Sequence, residues 1–181
     1  MIKRLRPAHS EESLKEIYAT PHDSDRWSDH IQRVDRSIDF IKENCGDIES
    51  AADLSCGNGK ILSAMDCENK YYGDFAPGYP LTGPINQTIN DLPMVDLFIC
   101  SESIEHLDDP SETLKLVRQH TNKLFISTPV DKFDDHNLEH YWAWDFEGIS
   151  DTLTSAGFVI KEYERLELSQ NYYTFALVYC E

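Results

Sequence analysis

The fold is decided by the stretch Ala51-Ala52-Asp53-Leu54-Ser55-Cys56-Gly57-Asn58-Gly59-Lys60-Ile61-Leu62, which has the pattern of a short apolar strand, a glycine turn and a helix start. Glycines let the backbone approach a ligand that a Cβ would hold away, and the amide N–H groups at a helix start point at that ligand. If the dinucleotide-binding pattern G-x-G-x-x-G is aligned with Ser55, Gly57 and Lys60, only one of its three glycines, Gly57, is present. A phosphate-binding P-loop would need a glycine at Leu54 and a Ser or Thr at Ile61. Both patterns therefore fit poorly.

The remaining pattern is acid-x-G-x-G-x-G with a serine in place of the first glycine, carried by Asp53, Ser55, Gly57 and Gly59. It resembles motif I of the class I S-adenosylmethionine-dependent methyltransferases. The resemblance implies an α/β, Rossmann-like methyltransferase fold: a central, mostly parallel seven-stranded sheet with an antiparallel last strand and helices on both faces. It also implies that these four residues bind S-adenosylmethionine. A glycine turn without a ligand is the alternative.

A second motif begins with the apolar strand of residues 95–100 and continues into the acid-rich turn Ser101-Glu102-Ser103-Ile104-Glu105-His106-Leu107. Open α/β sheets bind ligands beyond the carboxyl ends of their strands. The segment resembles the fourth strand and following turn of methyltransferases of the "EVLEHL" type, with Glu102, Glu105 and His106 at matching positions. The two motifs together cover about half of the chain in the family's order and spacing.

Further candidates for the cofactor site lie between the two motifs and at the start of the second turn. Asp74 ends a predicted second strand and lies 21 residues after Asp53, near the spacing at which an acid accepts hydrogen bonds from ribose hydroxyls. The turn over residues 90–93 resembles the acidic turn that binds adenine in this family. A plain turn is the alternative in both places. The candidates added to motif I are Asp74, Asp91, Leu92 and Ser101.

Residues 77–84 contain three prolines and two glycines, so the usual crossover helix cannot form there. We therefore predict a reduced connection between the second and third strands, and a third strand over Ile85–Ile89. A leading helix is predicted from an apolar stripe. The family resemblance implies that this helix can overhang the cofactor and let Arg26, His30 or Arg33 approach it, but we interpret these residues as a solvent-exposed polar flank. The stripe consists of Trp27, Ile31, Val34, Ile38 and Ile41.

Later elements follow from local signals. Helices are predicted to begin at Asp109-Pro110 and after Asp145, because aspartate caps helix starts. Strands are predicted over residues 123–129, 158–163 and 173–179. The aromatic loop 136–144 is predicted either to form a lid or to cap the core through Trp142 and Trp144.

Composition sets the broad class. A chain of 181 residues that is 40% hydrophobic suits one domain, 1–181, with a leading segment and helix over 1–45 and a core over 46–181. The segment up to about Ser24 is expected to be polar and rich in turns. The five cysteines form no C-x-x-C pair, and no signal or membrane-spanning segment is recognisable, so we expect a cytoplasmic protein with reduced thiols. The oligomeric state is not predicted.

The family resemblance implies methyl transfer, which is an in-line displacement with a neutral leaving group. The protein must align the reactants, exclude water and supply a base for a hydroxyl acceptor. His106 is the favoured base because an imidazole titrates near neutrality, with Glu102 and His140 as alternatives. A structural turn histidine is the alternative for His106. We expect a small-molecule acceptor and no membrane partner.

Two other functions stay open. Glu102, Glu105, His106 and the distant His140 resemble the metal-binding set of small-RNA 2′-O-methyltransferases, and such ligands suit Mg²⁺ or Mn²⁺. The net charge of −17 repels phosphate backbones, so we expect no nucleic acid partner. Glutamate-histidine turns also occur in metal-free small-molecule methyltransferases, so we expect no metal. The proline-rich loop and Ser55 would suit a non-catalytic cofactor-binding or interaction module.

Overall fold

The computed structural model describes residues 1–23, 25, 28–168 and 172–181, so the predictions for Ser24, Arg26 and Trp27 lie outside the described residues. Within the described chain, no helix combines the length and the apolar character needed to cross a membrane. The helices are α1 (Glu11–Ile17), α2 (Ser28–Asn44), α3 (Lys60–Ser63), α4 (Ile85–Thr88), α5 (Pro110–Arg118) and α6 (Phe146–Ser155). The strands are β1 (Ile2–Arg4), β2 (Ser50–Asp53), β3 (Asn69–Asp74), β4 (Leu81–Thr82), β5 (Val95–Ser101), β6 (Thr121–Val130), β7 (Trp142–Trp144), β8 (Ile160–Glu167) and β9 (Thr174–Cys180).

The central sheet has seven strands in the order β4-β3-β2-β5-β6-β9-β8. Strands β4, β3, β2, β5 and β6 pair in parallel, whereas β9 is antiparallel to both β6 and β8. The predicted mostly parallel sheet with an antiparallel last strand is thus confirmed. The carboxyl ends of β2, β3 and β5 meet at one edge, where ligands bind in open α/β sheets.

Helices cover both faces of the sheet, as predicted. Along β5, Leu97 and Ile99 pack with the apolar residues of α2 and α3, while Phe98 and Cys100 pack with those of α5 and α6. All four side chains are at most 2% exposed. A strand buried on both faces is continuously apolar rather than alternating. This pattern explains why β5 was recognisable from the sequence.

The prediction of a third strand over Ile85–Ile89 is wrong. These residues form α4 and the start of a 3₁₀ turn, Ile89–Asp91. The third strand of the central sheet in chain order, after β2 and β3, is the two-residue β4. The buried side chains Ile85, Thr88, Ile89 and Leu92 are spaced by three and four residues, which is the period of a helix. The connection from β3 to β4 is the loop 75–80, so the predicted reduced connection is present.

The amino-terminal segment is more regular than predicted. β1 pairs with β7, with Ile2 opposite Trp144, and α1 follows. Trp144 is completely buried, and the Trp142 Nε1–H donates to the Leu107 carbonyl at 3.0 Å. The two tryptophans therefore belong to a strand and the core rather than to a lid. A three-residue strand is too short to show alternation, which is why the sequence did not reveal β1.

Aspartate caps begin α5 and α6, as predicted. The Asp109 Oδ1 accepts from the Glu112 N–H at 3.0 Å, and the Asp145 Oδ1 accepts from the Gly148 N–H at 2.8 Å. Each bond satisfies an amide that has no partner inside the helix.

Replacing Asp109 with alanine is expected to lower the free energy of unfolding by about 1 kcal/mol, because the first turn of α5 loses its side-chain acceptor. Denaturant unfolding measures the change. Asp151→Ala, at an exposed position inside α6, is the control and should change stability less. Equal stabilities of Asp109→Ala and the unchanged protein would contradict the assigned cap.

Candidate active site

A cavity of about 1180 Å³ lies at the carboxyl ends of β2, β3 and β5. Typical small-molecule sites enclose roughly 300–1,000 Å³, so this cavity has room for a cofactor and a second small molecule. Of the predicted cofactor residues, five line the cavity: Asp53, Ser55, Gly57, Asp74 and Ser101. The predicted residues Gly59, Asp91 and Leu92 are not part of its lining.

The turn after β2 depends on two glycines with left-handed backbones. Gly57 has φ +55°, and a Cβ there would lie 2.8 Å from the His22 carbonyl oxygen. Gly59 has φ +76°, and its Cβ would approach the Tyr72 ring to 3.2 Å. The Gly57 N–H donates to Asp74 Oδ2 at 2.8 Å. The turn is therefore held by Asp74 in a shape that only glycine adopts without strain.

Two buried carboxylates border this turn. The Asp53 Oδ1 accepts from the Ser55 N–H at 3.0 Å, and burial raises the pKa of Asp53 to about 7. Asp74 accepts from Gly57 through Oδ2 and from the Ala76 N–H through Oδ1 at 2.9 Å; burial raises its pKa too. A carboxylate oxygen accepts two hydrogen bonds, so both oxygens of Asp74 keep capacity for ligand hydroxyls.

The side of the cavity next to α4 differs from the sequence prediction. Asp91 is exposed and Leu92 is buried in the core, and the five consecutive residues Gly83–Gln87 line the cavity instead. Sequence reasoning missed this segment because it placed a strand at residues 85–89. The helical spacing of Ile85, Thr88, Ile89 and Leu92 was the available signal. This helical spacing would have placed a loop at Gly83-Pro84, just before α4, and this loop lines the cavity.

Arg33 is buried beneath the turn that follows β5. It is 5% exposed, and its Nη1 donates to the Ser101 Oγ at 2.8 Å and to the Ser127 Oγ at 3.3 Å. The interpretation of Arg33 as a solvent-exposed flank of α2 is therefore wrong. Two serines on the adjacent strands β5 and β6 thus accept from Nη1, whereas the buried Arg33 Nε has no hydrogen-bond partner among the described residues.

Glu102 has a strained backbone, with φ +52°. Left-handed conformations are uncommon outside glycine and tend to occur at functional sites. The Glu102 N–H donates to the Ser127 carbonyl at 2.8 Å, and its Oε1 accepts from the Ser127 Oγ at 3.2 Å. Burial raises the pKa of Glu102, while Arg33 acts in the opposite direction.

Glu105, His106 and His140 form a cluster in which one potential ligand atom from each lies within 4.8 Å of the others. The Glu105 Oε2 accepts from the Thr128 Oγ1 at 2.9 Å, but its buried Oε1 has no partner among the described residues. Burial and the neighbouring Glu102 raise the pKa of Glu105. A buried oxygen without a donor favours a proton or a cation in this cluster.

The two histidines differ in basicity. Desolvation lowers the pKa of His106 to about 3, which disfavours His106 as a proton acceptor. Burial would also lower the pKa of His140, but a 2.7 Å bond between its Nδ1 and Asp135 Oδ2 and the nearby Glu105 outweigh burial and raise it. His140 is therefore the better proton acceptor. Asp135 was missed because nothing in the sequence pairs it with His140.

No family model matches the chain, and no curated protein does. Among solved structures, the chain is similar to the 1,6-didemethyltoxoflavin-N1-methyltransferase of Burkholderia thailandensis (TM-score 0.70, 13% identity, 99% of this chain and 93% of that one). The N-methyltransferase NodS of Bradyrhizobium japonicum matches with TM-score 0.67, 14% identity and coverage of 93% and 96%. The magnesium protoporphyrin IX methyltransferase of Synechocystis matches with TM-score 0.65, 15% identity and coverage of 93% and 92%. The chain therefore has the fold of the class I S-adenosylmethionine-dependent methyltransferases.

Proposed function

We propose that the chain is an S-adenosylmethionine-dependent methyltransferase that acts on a small molecule. The observation that carries the proposal is a single cavity in which the glycine turn and Asp74 are joined to Glu102, His106 and His140. A cofactor and an acceptor can thus share one space. The three similar methyltransferases named above were each crystallised with S-adenosylhomocysteine bound.

The residues present fit this cofactor. The left-handed backbone of Gly57 lets the turn pass close to His22 beside the cavity, and Asp74 offers acceptor capacity for ribose hydroxyls. We assign cofactor binding to Asp53, Ser55, Gly57, Asp74 and Ser101, and to the segment Gly83–Gln87 in place of Asp91 and Leu92. The bound cofactor supplies an activated methyl group. The protein's own residues align the acceptor, exclude water and, for a hydroxyl or amine acceptor, take up a proton through His140.

Calorimetry with S-adenosylmethionine and S-adenosylhomocysteine tests the first step. Saturable binding of both is expected, and no binding at about 1 mM, a concentration that detects even weak complexes, would overturn the proposal. Radiolabelled methyl transfer into separated small-molecule and RNA fractions of a cell extract then tests the acceptor class. Binding without transfer to any fraction would favour a non-catalytic binding module.

Replacing Asp74 with alanine is expected to weaken cofactor binding about 100-fold or more. The variant removes a carboxylate that can accept two ribose hydroxyls, each bond being worth about 1.5–3 kcal/mol. Calorimetry measures the change. Asp91→Ala is the matched control, because Asp91 is exposed and outside the cavity lining, and its affinity should not change. Equal losses in both variants would contradict the placement of the site.

A divalent-metal-dependent RNA 2′-O-methyltransferase is the second candidate. The unpartnered Glu105 Oε1 and the spacing within the Glu105, His106 and His140 cluster favour it. These residues, with Glu102, would hold the ion, and oxygen with imidazole suits Mg²⁺ or Mn²⁺. The net charge of −17 opposes an RNA acceptor. Full activity in excess EDTA and label in the small-molecule fraction would exclude this candidate.

A further inference from the structure

We propose that Asp135 is a positioning residue that fixes the tautomer of His140, with the proton on Nδ1 and the lone pair on Nε2. This inference deepens the proposed function and rests on it for its catalytic meaning. Asp135 and His140 are 5% and 6% exposed, and His140 lines the cavity while Asp135 does not. Asp135 therefore acts on the site through His140 rather than by touching a ligand.

Both oxygens of Asp135 have assigned partners. Oδ2 lies 2.7 Å from the His140 Nδ1. Oδ1 accepts from the Asn137 N–H at 2.8 Å and from the Tyr173 hydroxyl at 3.0 Å. The loop is held from outside as well, since the Arg6 guanidinium donates to the carbonyls of Asp135 and Asn137. The carboxylate is thus oriented by bonds that do not involve His140.

This arrangement determines which ring nitrogen carries the proton. An ionised carboxylate only accepts hydrogen bonds, so the proton between Oδ2 and Nδ1 comes from the imidazole. A neutral imidazole has one N–H, and Nε2 is then left with its lone pair. That lone pair is the group needed to take a proton from an acceptor. When it does so, the imidazolium keeps its bond to Asp135, which stays ionised.

Asp135→Asn tests the inference, because the network dictates how the amide must lie. The Asn137 N–H still requires an oxygen at the Oδ1 position, which leaves the NH₂ group facing the His140 Nδ1. The amide then donates to Nδ1, and the proton of His140 must move to Nε2. The tautomer is determined from two-bond ¹⁵N–¹H NMR correlations, recorded at alkaline pH on protein labelled with ¹⁵N-histidine. The signal that disappears in the His140→Gln variant is assigned to His140.

The expected result is Nδ1–H in the unchanged protein and Nε2–H in Asp135→Asn. Asp131→Asn is the matched control: it makes the same chemical change four residues away, at an exposed position whose φ of +58° suits asparagine. It should leave the tautomer unchanged. An Nε2–H tautomer in the unchanged protein would overturn the inference, even if Asp135→Asn did not fold.

Tautomer and cofactor binding are measured independently, so their failures are distinguishable. An unchanged protein with the expected tautomer but no affinity for S-adenosylmethionine would remove the proposed function and keep the positioning role. With an acceptor in hand, Asp135→Asn should lower kcat about 100-fold and leave the cofactor Kd unchanged, as loss of a proton acceptor predicts. A residue that only stabilises the loop would instead change the melting temperature without inverting the tautomer, and that result would contradict the inference.

Discussion

Replacing His140 with glutamine is expected to lower the rate of methyl transfer about 10²–10⁴-fold, the usual contribution of a general base. Glutamine is similar in size and polarity, but it cannot take up a proton. The dissociation constant of S-adenosylmethionine should not change, because the motif I turn and Asp74 lie elsewhere in the cavity. In the unchanged protein the rate should rise with pH through the raised pKa of His140, since the base must be unprotonated to act.

Radiolabelled methyl transfer at saturating cofactor measures this effect, and calorimetry measures the affinity. His136→Gln is the matched control, because His136 is exposed in the same loop and does not line the cavity. It should retain full activity. A His140→Gln variant as active as the control would exclude His140 as the base. If His106→Gln loses methyl-transfer activity and His140→Gln does not, His106 is the base.

The parts of the fold that were predictable are those whose signals are local. Strands β2 and β5 are apolar because both faces are buried, and each ends in a polar residue that lines the cavity, Asp53 and Ser101. The caps Asp109 and Asp145 are likewise decided within one helical turn. The strands β1 and β4 have three and two residues, and they exist because β7 and β3 pair with them. Pairing partners far along the chain leave no local pattern.

The same distinction applies to the site. Asp53, Gly57 and Asp74 line one cavity, and their spacing along consecutive strand, turn and helix elements allowed the sequence to suggest them. The buried position of Arg33 depends on Ser101 and Ser127, which are far away along the chain. The lowered pKa of His106 depends on desolvation by the surrounding folded chain. Neither could be deduced from composition or spacing. The glycine-turn side of the cavity could thus be predicted in part from the sequence, whereas the basicity of the groups lining it depends on tertiary contacts.

Replacing Asp53 with asparagine is expected to stabilise the protein above pH 7 by about 4 kcal/mol, the equivalent of a pKa raised from 3.8 to about 7. Because burial disfavours the ionised form in the folded state, stability falls as pH rises from the unfolded pKa to the folded one. Below about pH 3 the carboxyl is largely neutral in both states, so the variant and the unchanged protein should be equally stable. The asparagine oxygen can still accept from the Ser55 N–H.

Urea unfolding at about pH 3 and about pH 8, on either side of this titration, measures the difference. Asp96→Asn is the control of opposite sign: the Asp96 carboxylate accepts from the Glu49 and Ser50 amides, which lowers its pKa, so that variant should lose stability at pH 8. If Asp53→Asn is no more stable than the unchanged protein at pH 8, ionisation of Asp53 does not destabilise the folded state, and the prediction is wrong. If it is more stable but binds S-adenosylmethionine less tightly, the chain retains a destabilising buried carboxylate because cofactor binding requires it.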